Sequence, residues 1–162
     1  MFKFPEDLLI SRNNKKHFWF HTNSIPLFDW NDVVSCLEYN VKNKIPIKSL
    51  ENFGIVLHDT SCIKITDYIS SSYSKLDPQV SCSSHLYISM SSESKTFGWH
   101  KDVSDVLFWQ VVGETIFSVQ EENKHTYILK PNDFLYIPRG VMHNTQPNSP
   151  RAGVSFGLDY TK

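Results

Sequence analysis

Cysteine is scarce in this 162-residue chain. The three thiols, Cys36, Cys62 and Cys82, are odd in number, widely spaced and form no Cys-X-X-Cys pair. Free, mostly buried thiols of a cytoplasmic protein are the expected state. An excess of one charge is missing too. The net charge is -1, and without clustered Lys and Arg there is no argument for nonspecific nucleic-acid binding. No apolar run approaches the roughly 20 residues that span a bilayer. Residues 1–7 put acidic side chains where a signal peptide has its apolar stretch. Neither a nucleic acid nor a membrane is therefore expected as a partner. The chain also lacks a Gly-rich phosphate loop, a Gly-X-Ser-X-Gly elbow and a Cys/His nucleophile pattern.

Aromatic residues are abundant, at 14%, as a small barrel with a lined cleft requires. The length predicts one domain, residues 1–162, and the pattern along the chain divides it into a mixed helix and strand part over 1–80 and a part of strands and turns over 81–162. Asp29 before residues 33–39 reads as the cap of an amphipathic helix. Residues 52–58 read as a strand and 67–73 as a short helix. The serine-rich stretch 91–94 reads as a mobile loop at the mouth of a cleft. Residues 121–124 read as the turn of a hairpin joining 116–119 to 126–129. His17, His21 and His125 are expected to face solvent, and Asp105 and Asp133 to bond their own turns.

The chemistry is carried by His100-Lys101-Asp102 and the distant His143. Two histidines and a carboxylate form a facial set that binds Fe(II) on one side and leaves the other open. On a strand, residues i and i+2 share a face, so His100 and Asp102 point to one interior. After Asp102, the run 106–113 is β-branched and aromatic, ends in Gly113 and predicts a buried strand. His143 follows a turn at Asn132-Asp133, a short strand over 134–137 and a second turn at Pro138-Arg139-Gly140.

These segments resemble the JmjC-type branch of the cupin superfamily, the Fe(II)/2-oxoglutarate oxygenases, and most of all its ribosomal-oxygenase group. His85-Leu86-Tyr87 is similar to the family's Asn-X-Tyr strand, residues 97–102 to its metal-ligand strand, and 105–113 to its Asp-Val-Phe-X-X-Gln-X-X-Gly segment. Residues 131–143 are similar to Pro-Gly-Asp-X-Leu-Tyr-Ile-Pro-X-Gly-X-X-His, with Asn132 in place of the glycine, a change tolerated because Asn adopts the left-handed conformation. The likeness is strong from about residue 83 to 159. Over 15–80 it rests on the order of elements.

The resemblance implies a mainly β, double-stranded β-helix (jelly-roll, cupin-like) barrel with N-terminal helices packed on one side. It implies Fe(II) held by His100, Asp102 and His143, and 2-oxoglutarate as co-substrate in contact with Tyr87. The implied reaction is hydroxylation of a protein or peptide side chain, or of a small peptide-derived metabolite. His85 and Trp99 are the expected substrate contacts, and Phe108, Trp109 and Tyr136 either shield the metal or fill the core. One position departs from the family: Thr115 stands where a Lys or Arg pairs with the distal carboxylate of 2-oxoglutarate, and a hydroxyl offers no ionic contact. Either another base, Arg151 or Lys124, takes over, or 2-oxoglutarate binds weakly, or the protein uses a different co-substrate or none. Two rival classes remain at this stage: a metal cupin with isomerase or lyase chemistry, and a non-catalytic binding module.

Overall fold

The structure is a computed structural model, and residues 2–160 are described. Among the described residues, ten strands form two antiparallel sheets. The large sheet has seven strands in the order β1 (Phe18–His21), β8 (Asp133–Ile137), β5 (Asp105–Val112), β10 (Arg151–Tyr160), β4 (Val80–Ser89), β3 (Gly54–Leu57) and β2 (Ile47–Leu50). The small sheet runs β7 (Lys124–Leu129), β6 (Thr115–Gln120) and β9 (Met142–Pro147). The two sheets face each other as a double-stranded β-helix, the expected mainly β, cupin-like barrel.

Strand alternation divides the side chains between two cores. On β5, Leu107, Trp109 and Val111 point to the outer face of the large sheet, where helices α1 (Glu6–Asn13), α2 (Trp30–Lys42) and α3 (Lys64–Leu76) supply Leu8, Val33, Cys36, Ile69 and Tyr73. The intervening Val106 and Phe108 point between the sheets and meet Phe117, Val119, Leu129, Leu135 and Ile137. Trp109 and Tyr136 therefore belong to the helix-side core and lie away from the cleft.

Helix α2 starts as its sequence predicts. The Asp29 side chain accepts from the backbone N–H groups of Asn31 and Asp32, and Asp32 reciprocates on the N–H of Asp29. Helix α3 is longer than residues 67–73, because Thr66, Ile69 and Tyr73 bury a stripe at helical spacing that offsets the poor propensity of its serines. Asn132 and Gly113 both hold the left-handed conformation, at φ 68. For Gly113 a side chain is also sterically barred, since a Cβ would fall 2.1 Å from the carbonyl oxygen of Pro150.

Three local expectations change. Residues 91–94 form a stitched turn: Ser94 is buried and its hydroxyl donates to the Asn52 carbonyl at 2.7 Å. Asp105 is an anchor between distant segments, accepting from the Tyr136 hydroxyl at 2.7 Å and the Arg139 N–H at 2.8 Å. His17 is largely covered, hydrogen-bonded to the Tyr127 hydroxyl at 2.8 Å and packed on Glu121. Among the described residues no helix is long and apolar enough to cross a membrane.

Candidate metal centre and its cavity

The ligand-bearing segments meet through their backbones. His100 and His143 exchange two hydrogen bonds, N–H to carbonyl, at 3.0 and 2.9 Å, and the Gly140 N–H donates to the Asp102 carbonyl at 2.9 Å. This single bridge replaces the regular strand expected over 97–102. Asp102 itself lies in a loop, yet the i, i+2 spacing still brings its carboxylate beside the two rings.

One donor atom from each of His100, Asp102 and His143 lies within 4.8 Å of the others, the only such group among the described residues. The His143 Nε2 is 3.3 Å and the His100 Nε2 3.9 Å from the Asp102 carboxylate oxygens. Each ring places Nδ1 on a backbone carbonyl, His100 on Gly98 at 2.9 Å and His143 on Val141 at 3.0 Å. With Nδ1 donating, Nε2 carries the free lone pair, the tautomer that metal-binding histidines need. Contact with the His143 side chain holds the Asp102 carboxyl below the usual carboxylate range, against the opposing effect of burial. Two imidazoles and a carboxylate suit a divalent first-row metal with open positions.

The triad opens on a cavity of about 230 Å³ between the sheets. Alternation again decides its walls. From β4 come Ser83, His85, Tyr87 and Ser89, and from β10 Arg151, Ser155 and Gly157. Phe108 forms part of the wall because Gly153 leaves room for its ring: a Cβ there would lie 2.3 Å from Cζ of Phe108. Phe108 meets Phe117 at 5.3 Å between centroids, and Phe117 stacks on His143 at 5.7 Å.

Arg151 is the unusual group. It is 3% exposed, and its Nε and Nη1 make no hydrogen bond within the protein. Burial pushes its guanidinium down to about 10, while the nearby Tyr87 pulls the other way. The Tyr87 phenol is pushed up by burial and then by Asp102, and drawn down by Arg151, so it senses both the triad and the guanidinium. A buried cation without a partner is costly, and the cavity is where an anion would relieve it.

The other expected site residues divide. His85 lines the cavity and lies edge-on to His58 at 5.0 Å. Trp99 is 46% exposed outside the cavity lining, with the Lys124 ammonium 5.5 Å from its ring centre. Lys124 thus covers an outer aromatic instead of reaching the cavity. Thr115 is fully buried away from the cavity: its hydroxyl donates to Oε1 of Gln110 at 2.6 Å, and the amide of Gln110 donates to the carbonyls of Val112, Gly113 and Ala152. It serves the β5–β6 connection. Phe97, expected only as part of the metal strand, connects Tyr87 to His100, with ring centroids 6.0 Å from each.

A family profile for the JmjC domain matches residues 116–162. No curated protein sequence matches the chain. Among solved structures, the Escherichia coli ribosomal oxygenase YcfD is similar. Its complex with cobalt and 2-oxoglutarate superimposes with a TM-score of 0.73 at 16% identity, covering 96% of this chain and 51% of that one. Its complex with cobalt and succinic acid gives 0.73 at 15% identity, over 96% and 51%. A further structure of E. coli YcfD gives 0.75 at 14% identity, over 100% and 55%. The chain spans about half the length of the ribosomal-oxygenase chains it matches. With its two-sheet barrel, its one-sided helices and the profile match over its last strands, the chain has a JmjC-type, ribosomal-oxygenase-like fold.

Proposed function

We propose that the protein is an Fe(II)- and 2-oxoglutarate-dependent oxygenase that hydroxylates a protein or peptide side chain, or a peptide-derived metabolite. The observation that carries this reading is one cavity holding both a His-Asp-His donor set and a buried, unpartnered guanidinium. His100, Asp102 and His143 would hold the iron. Arg151, with Tyr87, would hold the distal carboxylate of 2-oxoglutarate, taking over the role for which Thr115 has no charge. The cobalt and 2-oxoglutarate bound by YcfD support the same assignment of metal and co-substrate.

Bound iron, with O2 and 2-oxoglutarate, supplies the oxidising power to place one oxygen atom in a C–H bond and the other in succinate, with release of CO2. The protein contributes position and dryness. The Nδ1 contacts to Gly98 and Val141 fix both imidazoles. Phe108, Phe117 and Val106 keep the inner wall apolar, which strengthens charge interactions inside. Arg151 orients the co-substrate from the wall opposite the small sheet. The intact donor set and the available Arg151 together weigh against a non-catalytic module.

Anaerobic titration of the iron-loaded protein with 2-oxoglutarate tests the proposal. A saturable visible charge-transfer band is expected, absent in His100→Ala and Asp102→Ala. Iron bound without any such band would overturn it.

A further inference from the structure

The segment that joins β4 to β5 runs beside the cavity as a strap fixed at three points. The Lys95 N–H donates to the Glu51 carbonyl at 3.0 Å, the Thr96 hydroxyl donates to the Thr145 carbonyl at 2.7 Å, and His100 exchanges its two backbone bonds with His143. Glu51 follows β2, the last strand of the large sheet, and Thr145 and His143 lie on β9, the last of the small one. The strap therefore ties one sheet edge to the other, and Phe97 hangs between its anchors.

Phe97 is 42% exposed, yet three groups meet its ring. The Lys48 ammonium, from β2, lies 4.4 Å from the ring centre, within the range of a cation–π contact. Tyr87 meets the ring edge to face, at 6.0 Å and 85°, and His100 does so at 6.0 Å and 66°. Gly98 adds a further hold. At φ 69 it turns the chain so that its own carbonyl accepts from Nδ1 of His100 at 2.9 Å, while the preceding ring reaches the same imidazole. Tyr87 lines the cavity with Arg151, and His100 belongs to the donor set. One exposed ring thus touches both the expected co-substrate wall and the metal centre.

We propose that Phe97 is a positioning residue: pinned by Lys48, it orients the Tyr87 phenol beside Arg151 and the His100 imidazole within the donor set. The assignment rests on the oxygenase reading above. A phenylalanine that served only to fill the core would be buried, and its truncation would be felt as lost stability. An exposed ring has less burial to lose, so its contacts act on the orientation of its neighbours. The aromatic character is what fits it for this. Its face attracts an ammonium, and edge-to-face geometry fixes the angle of each neighbouring ring. An aliphatic side chain of similar volume offers neither.

The test uses the full chain loaded with Co(II), whose visible absorption reports the ligand geometry at His100, and titrates it with 2-oxoglutarate. In Phe97→Ala the cobalt bands are expected to change before any co-substrate is added. The affinity for 2-oxoglutarate should fall about tenfold, with Tm within about 2 °C of wild type. Phe97→Tyr, which keeps the ring, should restore bands and affinity, and Phe97→Leu should not. Lys48→Met should weaken 2-oxoglutarate binding in wild type and add nothing in Phe97→Ala. Unchanged bands and affinity in Phe97→Ala, or full recovery in Phe97→Leu, would sink the assignment, and a larger fall in Tm would mark a packing role and sink it equally. The two readings fail separately. Wild-type cobalt protein that does not respond to 2-oxoglutarate removes the oxygenase, and the cobalt bands of Phe97→Ala still decide whether Phe97 positions His100.

Discussion

Replacing Arg151 by Met should make the unliganded protein more stable and its co-substrate binding much weaker. Arg151 is buried, and burial brings its guanidinium down from its ordinary value to about 10, which corresponds to a penalty on the charged form on the order of 3 kcal/mol. The sign follows from the lowered value. Below about pH 10 both folded and unfolded chains carry the proton, so at neutral pH the full penalty stands; it is relieved only as pH rises from about 10 toward the ordinary guanidinium value. Met keeps the aliphatic stem and removes the charge, and such replacements are neutral or stabilising by about 1–4 kcal/mol. For a chain of this length, each kcal/mol raises Tm by roughly 2–4 °C. Binding moves the other way, because removing one partner of a buried charge pair costs about 2–5 kcal/mol, or roughly 30-fold to several thousand-fold in Kd. Thermal unfolding of metal-loaded protein with and without 2-oxoglutarate reads both effects. Wild type should gain Tm with 2-oxoglutarate, and Arg151→Met should start higher and gain little. A variant that starts lower and still gains as much as wild type would refute the assignment of Arg151 to the co-substrate.

Two structural predictions accompany it. Tyr136→Phe removes a hydrogen bond to the buried Asp105 carboxylate and should cost about 1.5–3 kcal/mol in denaturant unfolding, and Asp105→Ala should cost more, since it also strands the Arg139 N–H. Gly113→Ala meets both a positive φ and a carbonyl 2.1 Å away, so it should lower stability by more than the roughly 1 kcal/mol typical of a glycine change and loosen the adjacent Arg151.

Most of the barrel's second half is legible in the sequence because its strands alternate and its turns carry their own chemistry: Asn132, Gly113 and Gly140 all take the positive φ that their turns require. The three members of the donor set are likewise readable, His100 and Asp102 from their i, i+2 spacing and His143 from the resemblance of residues 131–143 to the JmjC-type signature. Other features depend on partners remote in sequence. Asp105 reads as a local turn former until Tyr136, on another strand, places a phenol on it. His17 looks solvent-facing until the β6–β7 hairpin folds over it. Neither the withdrawal of Thr115 into a contact with Gln110 nor the inward turn of Arg151 is visible in sequence, because both follow from the β5–β10 register and its bulge between Ala152 and Gly153. The strand expected around His100 shrinks to a single bridge, since only one residue there finds a partner.

That bridge has a thermodynamic consequence. In small zinc domains the metal ion is the fold, and chelation unfolds the chain. Here the segments bearing the ligands are joined through backbone hydrogen bonds, and the hydrophobic cores on both sides of the large sheet are built from side chains other than the three donors. Metal should then act as a ligand of a finished protein, raising stability only in proportion to the logarithm of its concentration over its dissociation constant. Such a centre can be emptied, refilled and exchanged between metals while the barrel persists, so the metal it carries in a cell is set by supply and affinity, not by the history of folding.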